Sequence, residues 1–246
     1  MIQQRNIEMK VLICRPKEDA NGLIKLVADK GVKALALPTI EIKDIATAIE
    51  FDEFTDFIFT SKHAVKSFFS KYEAKLLDDK KIYSIGAATA EELKGFELDS
   101  QCPDKHNSKA LFGLIKEIPF RDKKFAIISG AGGNTYLEDE ISKHTIAIKV
   151  TVYERVLVDK EFLQNAYMDE YNGAEPDLIV ATSIDVFKSL IRIFKDMPLP
   201  IKAKITVTSY KMQRFVSANG FKNILKLHKL DNDYICEQIL AIRAKD

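Results

Sequence analysis

Three hydroxyl pairs, each directly after an apolar run, are the side chains in this sequence best placed to do chemistry. They are Thr60-Ser61, Thr182-Ser183 and Thr208-Ser209. Each preceding run is typical of a short buried strand, and each pair is followed by apolar residues at helical spacing. A serine there can cap the helix, and the free N–H groups of the first turn can bind an anion. Anion binding and plain helix capping therefore both remain open.

A glycine-rich segment, Ser129-Gly130-Ala131-Gly132-Gly133, follows another strand-like run. It is not a dinucleotide-binding fingerprint, because no glycine stands where the third one of the motif belongs. It is not a P-loop either, since no Gly-Lys-Ser/Thr follows. The segment predicts either a backbone that approaches a ligand closely or a tight strand–helix turn.

The other reactive side chains form no recognisable constellation. The four histidines are scattered, without the paired spacing of a zinc protease, and no G-x-S-x-G elbow supports a serine hydrolase. Cys14 ends an apolar run and is expected to be buried rather than nucleophilic. Tyr153 lies in a strand-like run, where tyrosine is common for packing alone. From spacing alone we expect Tyr153 to be structural and no metal to bind.

Composition excludes several classes of function. The 246 residues include 37 basic and 36 acidic side chains, which gives a net charge of +1 and no basic footprint for nucleic acid or an anionic membrane. The three cysteines are far apart, without a C-x-x-C motif, and fit a reducing cytoplasm. No apolar run is long enough to span a bilayer. The polar leader, residues 1–8, is expected to be a disordered extension.

Alternating strand and helix patterns predict an α/β protein with parallel sheets and helices on both faces. Local signals add detail: Thr89 with Glu92 has the spacing of a capping box, Ser108 and Asp231 are expected to cap helices, and Gly220 to end one. The strand–Thr-Ser–helix unit at Ser61 recurs at Ser183, about half the chain later, which suggests two related domains.

Parallel sheets bind ligands beyond the carboxyl ends of their strands. The predicted ends carry small, hydroxyl or basic residues: Cys14-Arg15, Thr60-Ser61, Gly86, Ser129-Gly130, Thr182-Ser183 and Thr208-Ser209. Taken alone, the patterns indicate a two-part α/β protein whose strand ends could hold an anion.

The order of several short motifs resembles the uroporphyrinogen-III synthase family, from about Lys10 to Ile242. The segments that carry this resemblance are Val11-Leu12-Ile13-Cys14-Arg15-Pro16, Phe57-Ile58-Phe59-Thr60-Ser61-Lys62-His63-Ala64-Val65, Ile85-Gly86-Ala87-Ala88-Thr89-Ala90, Gly130-Ala131-Gly132-Gly133, Tyr153-Glu154-Arg155, Val180-Ala181-Thr182-Ser183, Val207-Thr208-Ser209 and Asn219-Gly220-Phe221.

The resemblance implies two flavodoxin-like α/β domains with parallel sheets, joined by a two-stranded β linker. On this basis the first domain is discontinuous, comprising residues 9–38 and 156–246, and the second comprises residues 43–149. The linker strands are then expected at 39–42 and 150–155.

The resemblance also implies an activity: closure of the linear tetrapyrrole hydroxymethylbilane to uroporphyrinogen III, with loss of water and inversion of ring D. It implies no cofactor, and a monomer in the cytoplasm. The family's linker tyrosine falls on Tyr153, which becomes the expected catalytic residue, assisting departure of the hydroxyl. The substrate-binding residues are expected to be Arg15, Thr60, Ser61, Gly86, Thr89, Gly130, Gly132, Gly133, Thr182, Ser183 and Ser209.

Because backbone N–H groups and hydroxyls at helix starts can bind carboxylates, a near-neutral chain is compatible with a substrate that carries eight of them. The resemblance places the Thr60-Ser61 and Thr182-Ser183 turns on opposite sides of that substrate. Two alternatives stay open: a binding or sensor protein for a small anion, without turnover, and a nucleotide-dependent enzyme, which the broken glycine pattern disfavours.

Overall fold

The computed structural model describes residues 9–244, so the expected extension at residues 1–8 lies outside the described part. The strands are β1 (Lys10–Cys14), β2 (Lys33–Ala36), β3 (Ile40–Asp44), β4 (Asp56–Phe59), β5 (Lys81–Ser84), β6 (Lys124–Gly130), β7 (Ile146–Leu157), β8 (Leu178–Ala181), β9 (Lys204–Val207) and β10 (Ile224–Lys226). The helices are α1 (Lys17–Ala28), α2 (Lys62–Phe69), α3 (Ala87–Lys94), α4 (Ser108–Ile115), α5 (Tyr136–Ile141), α6 (Lys160–Tyr171), α7 (Ile184–Ile193), α8 (Tyr210–Ala218) and α9 (Asn232–Arg243).

The chain divides into two compact units. The first comprises the residues up to Glu41 together with those from Val156 onwards, and the second comprises Ile42–Arg155. Both changes of unit therefore fall inside strands, β3 and β7, which lie side by side in one sheet. The expectation of an α/β protein with parallel sheets is confirmed.

The first unit contains a five-stranded sheet in the order β10-β9-β8-β1-β2, with all of its pairings parallel. Numbered within the unit, this is the flavodoxin-like order 2-1-3-4-5, in which the chain changes direction along the sheet between β1 and β8. Alternate residues of β1 supply two cores: Leu12 and Cys14 belong to one, and Val11 and Ile13 to the other. The sheet is thus covered on both faces, as parallel sheets require.

The second unit repeats the pattern. Its five strands are ordered β3-β7-β6-β4-β5, and the pairs β5–β4, β4–β6 and β6–β7 are parallel. Within the unit, β4 to β7 follow the order 2-1-3-4, so the change of direction lies between β4 and β6. Phe57 and Phe59 face one core and Ile58 faces the other.

Several local predictions are confirmed. Ser61, Ser183, Ser209 and Asp231 each accept a hydrogen bond from the backbone N–H three residues on, as N-caps do. Gly220, just past α8, has φ of 95°, a left-handed conformation that suits glycine.

Two cap predictions were wrong. Helix α3 begins at Ala87 after Gly86, so Thr89 lies in its first turn, only 4% exposed, and does not cap it. Asn107, and not Ser108, caps α4, because the Asn107 side chain accepts the N–H of Ala110. The cap therefore lies three residues earlier than predicted for α3 and one residue earlier for α4.

Candidate functional site

The polar side chains of the second unit converge where the chain changes direction along its sheet. The carboxyl ends of β4 and β6 are neighbours there, and the Thr60 N–H donates to the Ile128 carbonyl at 3.1 Å. This is the position at which open α/β sheets bind their ligands. Ser61 follows β4 and Gly130 ends β6, so two predicted site residues meet at one point of the sheet.

Tyr153 joins them from β7, the next strand. Its ring lies directly on Gly130: a Cβ built on that glycine would fall 2.4 Å from Cζ of Tyr153 and 2.8 Å from its hydroxyl oxygen. The Ala131 N–H also donates to the Tyr153 carbonyl at 2.7 Å, which fixes the backbone of the two strands at this point. Tyr153 is 3% exposed and packs in the second unit's core. The ring is thus held in one position from both sides.

The phenol oxygen of Tyr153 has two polar partners. Ser61 Oγ lies 3.2 Å away, and Arg155 Nη2 donates to the same oxygen at 3.2 Å. The Arg155 guanidinium carbon is 5.5 Å from the ring centroid, and the His63 ring is 6.0 Å from it, edge to face. Because an arginine only donates, the phenol accepts from Arg155 and keeps its own proton to give.

Ser61 connects this cluster to a helix. Its Oγ accepts the Ala64 N–H at 3.1 Å as the N-cap of α2, while it also faces the tyrosine. The positive end of the α2 dipole therefore lies beside the phenol. The Arg155 guanidinium, the N-terminus of α2 and the Ser61 hydroxyl therefore all lie where they would stabilise negative charge on the phenol oxygen.

Sequence reasoning did not foresee Arg155 or His63 as members of the cluster. Residues two apart on a strand project from the same face, so Tyr153 and Arg155 were recoverable in principle from their spacing. His63 lies on the first turn of α2 and carries no comparable signal. In the sequence, both residues were noted only as members of the short segments that resemble the family.

Four other predicted binding residues of the second unit are committed to internal contacts. The Thr60 hydroxyl donates to the Ile128 carbonyl at 3.0 Å, so its proton is already used. Thr89 is buried in α3. Gly86 is packed against His106, whose Cβ would lie 2.9 Å from an added side chain, and the Gly133 carbonyl accepts from Lys149 Nζ at 2.9 Å. Gly132, with φ of 68° and open space around it, makes the turn.

In the first unit, Thr182-Ser183 and Ser209 follow the adjacent strands β8 and β9. Ser183 accepts the Val186 N–H at 3.1 Å and Ser209 accepts the Met212 N–H at 3.2 Å. Each serine acts as an acceptor in its cap, which leaves its hydroxyl proton for a further partner. Both turns therefore retain the donor that anion binding needs.

Arg15 has a different environment. It is 3% exposed, and its guanidinium donates to Asn232 Oδ1 at 2.5 Å and to the Leu230 carbonyl at 2.8 Å, with Asp19 3.6 Å away. Burial lowers the pKa of Arg15 from its ordinary value, while Asp19 and Asp231 act in the opposite direction. These contacts tie β1 and α1 to the start of α9.

Cys14, at the end of β1, is completely buried, and burial raises the pKa of its thiol far above the ordinary value. A thiol in that state is a poor nucleophile. Across residues 9–244, no three or more histidine, cysteine or acidic side chains are grouped as a metal site would need. No helix in the same range is long and apolar enough to cross a membrane.

The fold and this cluster define a class of protein: a two-unit α/β protein with parallel sheets and a tyrosine- and hydroxyl-based polar site at the ends of the strands. The model of the family HEM4, uroporphyrinogen-III synthase HemD, matches residues 21–232. The chain belongs to the uroporphyrinogen-III synthase family, whose members act in tetrapyrrole biosynthesis.

Individual relatives carry the same name. A Methanocaldococcus jannaschii protein provisionally named uroporphyrinogen-III synthase is 31% identical over 128 residues, covering 48% of this chain and 52% of its own length. The uroporphyrinogen-III synthase of Chlorobaculum parvum is 24% identical over 157 residues, covering 59% and 63%. The chain thus spans about half of the first relative's length and under two thirds of the second's.

Among solved structures, the uroporphyrinogen-III synthetase of Helicobacter pylori superposes with a TM-score of 0.66 at 17% identity, covering 95% of this chain and 99% of that one. At this identity the likeness shows the fold alone.

Proposed function

We propose that this protein is a hydro-lyase that closes hydroxymethylbilane to uroporphyrinogen III, with loss of water and inversion of ring D. The observation that carries the proposal is the Tyr153 phenol, held on Gly130 with Arg155 and Ser61 at its oxygen, in a chain of this family. The reaction needs little acid–base chemistry beyond one proton donor, and the cluster supplies one.

The first step is loss of the ring A hydroxyl. The C–O bond breaks as the pyrrole nitrogen supplies its electron pair, and an electrophilic azafulvene forms. The Tyr153 hydroxyl gives its proton to the departing oxygen, which leaves as water. Arg155 and the start of α2 stabilise the negative charge that builds on the phenol oxygen. A positioned donor of this kind contributes roughly 10²–10⁴ in rate.

The second step is attack by the substituted carbon of ring D, which gives a spiro intermediate. Rearrangement of this intermediate inverts ring D as the macrocycle closes, and the proton that the closing ring loses restores the phenol. Since hydroxymethylbilane closes without an enzyme to the uninverted isomer I, the protein's main task is to hold rings A and D in the orientation that gives isomer III.

Among the predicted binding residues, we assign carboxylate binding to Ser61, Gly132, Thr182, Ser183 and Ser209, where turns offer N–H groups or a free hydroxyl proton. We assign structural roles to Arg15, which is buried with both terminal nitrogens bonded, to Thr60, Gly86, Thr89 and Gly133, whose polar groups or surroundings are occupied, and to Gly130, which makes room for Tyr153. We further propose that the two units are two domains of a cytoplasmic monomer.

The test is an isomer assay. The purified protein is incubated with freshly generated hydroxymethylbilane, the products are oxidised to porphyrins, and isomers I and III are separated. Isomer III should predominate, whereas a sample without the protein gives isomer I. Isomer I alone would overturn the proposal. If uroporphyrinogen stabilises the protein against heat and no isomer III forms, the protein is a ligand-binding module without turnover.

A further inference from the structure

A groove of about 740 Å³ lies between the first turns of α7 and α8, entirely within the first unit. Its lining residues are Ile184, Asp185 and Lys188 from α7 and Tyr210, Lys211, Arg214 and Phe215 from α8. Two of these residues, Ile184 and Tyr210, directly follow the serine caps Ser183 and Ser209, after the carboxyl ends of β8 and β9.

The two walls are built from equivalent positions of the two helices. The caps are 209 − 183 = 26 residues apart, and the same offset takes Asp185 to Lys211 and Lys188 to Arg214. These are the second and fifth residues of each helix, which lie on one face. A strand–serine–helix unit used twice thus contributes side chains from corresponding positions of two helices to one groove.

The groove is basic. Lys188, Lys211 and Arg214 oppose a single carboxylate, Asp185, which leaves two positive charges in excess. Within the range that the structure describes, none of the three cations forms an ion pair, and the charged end of Lys188 lies 5.8 Å from the Phe215 ring centroid. The positive ends of both helix dipoles point towards the same region.

The groove also offers apolar and aromatic surface. Tyr210 is 71% exposed although it is a large aromatic residue, and Ile184 and Phe215 are partly buried beside it. Unpaired cations next to an exposed ring suit a ligand that is itself aromatic and carries carboxylates, because the ring can stack while the carboxylates pair with the cations.

We propose that this groove binds one pyrrole ring of the linear tetrapyrrole through that ring's two carboxylates. The inference rests on the proposed function and names one subsite of it. Eight carboxylates on four rings amount to two per ring, which matches the excess charge of the groove. Lys211 and Arg214 pair with the carboxylates, Tyr210 covers the ring, and Ser183 and Ser209 add hydroxyl donors at the groove's edge.

The test measures substrate affinity in three variants of the full chain: Lys211→Gln, Arg214→Gln and the double variant. Each single change should raise KM for hydroxymethylbilane about 5-fold and the double change about 25-fold, because each removes one charge-assisted contact. The value of kcat should be unchanged, since the contact is made equally before and during the reaction. Lys222→Gln, an exposed lysine of the same unit outside the groove, is the matched control.

A second readout does not require turnover. Fluorescence titration with uroporphyrin I, which carries an acetate and a propionate on every ring, should show the same losses of affinity, and the losses should shrink as salt is added. Coproporphyrin I, with methyl groups in place of the acetates, should bind more weakly and respond less to the variants.

The experiments separate failure of the proposed function from failure of the proposed subsite. If the wild-type protein forms no isomer III, the proposed function is wrong, whatever the groove binds. If it forms isomer III but the Lys211 and Arg214 variants keep the wild-type KM and the wild-type affinity for uroporphyrin I, the groove is not a subsite.

Discussion

The ring of Tyr153 occupies the space that any side chain at position 130 would need. An added Cβ on Gly130 would be 2.4 Å from Cζ and 2.6 Å from Cε2 of the tyrosine, distances that real atoms do not adopt. The position of the Tyr153 phenol on β7 therefore depends on Gly130 of β6, because only a residue without a side chain leaves room for the ring there.

Substituting Gly130→Ala should displace the Tyr153 ring. We expect kcat to fall by roughly 10²–10⁴-fold, as for removal of the phenol itself, and the free energy of unfolding to fall by about 1–3 kcal/mol from overpacking. Steady-state kinetics and denaturant unfolding would measure the two effects. Gly113→Ala is the control, because nothing lies within 4 Å of its added Cβ in α4. That change should stabilise the protein by about 0.5–1 kcal/mol at full activity.

Arg155 should act through Tyr153. We expect Tyr153→Phe to lower kcat by roughly 10²–10⁴ and Arg155→Gln to lower it about 10-fold, each with little change in KM. If the arginine works only by stabilising the phenol oxygen, the double variant should be no slower than Tyr153→Phe alone. Multiplying losses in the double variant would show that Arg155 acts independently of the tyrosine.

Ser61 combines two roles that substitutions can separate. Ser61→Ala should lower the free energy of unfolding by about 0.5–2 kcal/mol through loss of the α2 cap. Ser61→Gly should lower it by only about 0.3 kcal/mol, because glycine is a tolerated cap residue. Both remove the hydroxyl that faces Tyr153, so both should lower kcat equally. A kcat that follows stability instead would mean that Ser61 only caps the helix. Asn107→Ala, which removes the cap of α4, gives a comparison away from the site.

Alkaline pH should unfold the protein through its buried tyrosines. Burial raises the pKa of Tyr167 to about 12, and burial likewise raises the pKa values of Tyr83 and Tyr171, with Asp56 adding to the effect on Tyr83. In the unfolded chain these phenols ionise near pH 10. Above about pH 10 the native state therefore holds more protons than the unfolded state, and stability falls as pH rises.

Denaturant titrations between about pH 8 and pH 11 would measure this loss. Tyr171→Phe should flatten the alkaline slope, and near pH 8 it should cost about 1 kcal/mol, because the Tyr171 hydroxyl donates to the Val11 carbonyl. Stability that is constant across this range would contradict the prediction.

Features specified by neighbouring residues could be predicted from the sequence. The caps at Ser61, Ser183 and Ser209 depend on a backbone N–H three residues away, and the strands before them on short apolar runs. The cap at Asn107 was missed because Asn107 and Ser108 are both good caps, and local sequence does not choose between them.

Features set by distant contacts could not be predicted. The Thr60 hydroxyl is occupied by the carbonyl of Ile128, and Arg15 by Leu230 and Asn232, partners 68 to 217 residues away. The spacing of residues around Tyr153 predicted only a packing role. The family resemblance alone indicated that this tyrosine could be catalytic. The basic groove could be identified only from the structure, because its cations come from two different helices. The net charge of +1 for the whole chain gives no sign of a local excess of positive charge.

The division of the chain also bears on the order in which the protein forms during synthesis. Strand β1 is made first, yet in the sheet it pairs on one side with β8, so that Val11 lies opposite Leu178. The second unit, Ile42–Arg155, is one continuous stretch that precedes β8 in the chain, so it leaves the ribosome before β8 does. Domains generally fold as units as they emerge. The unit made in the middle of the chain is therefore complete first, while the opening βαβ segment waits for its partner strands.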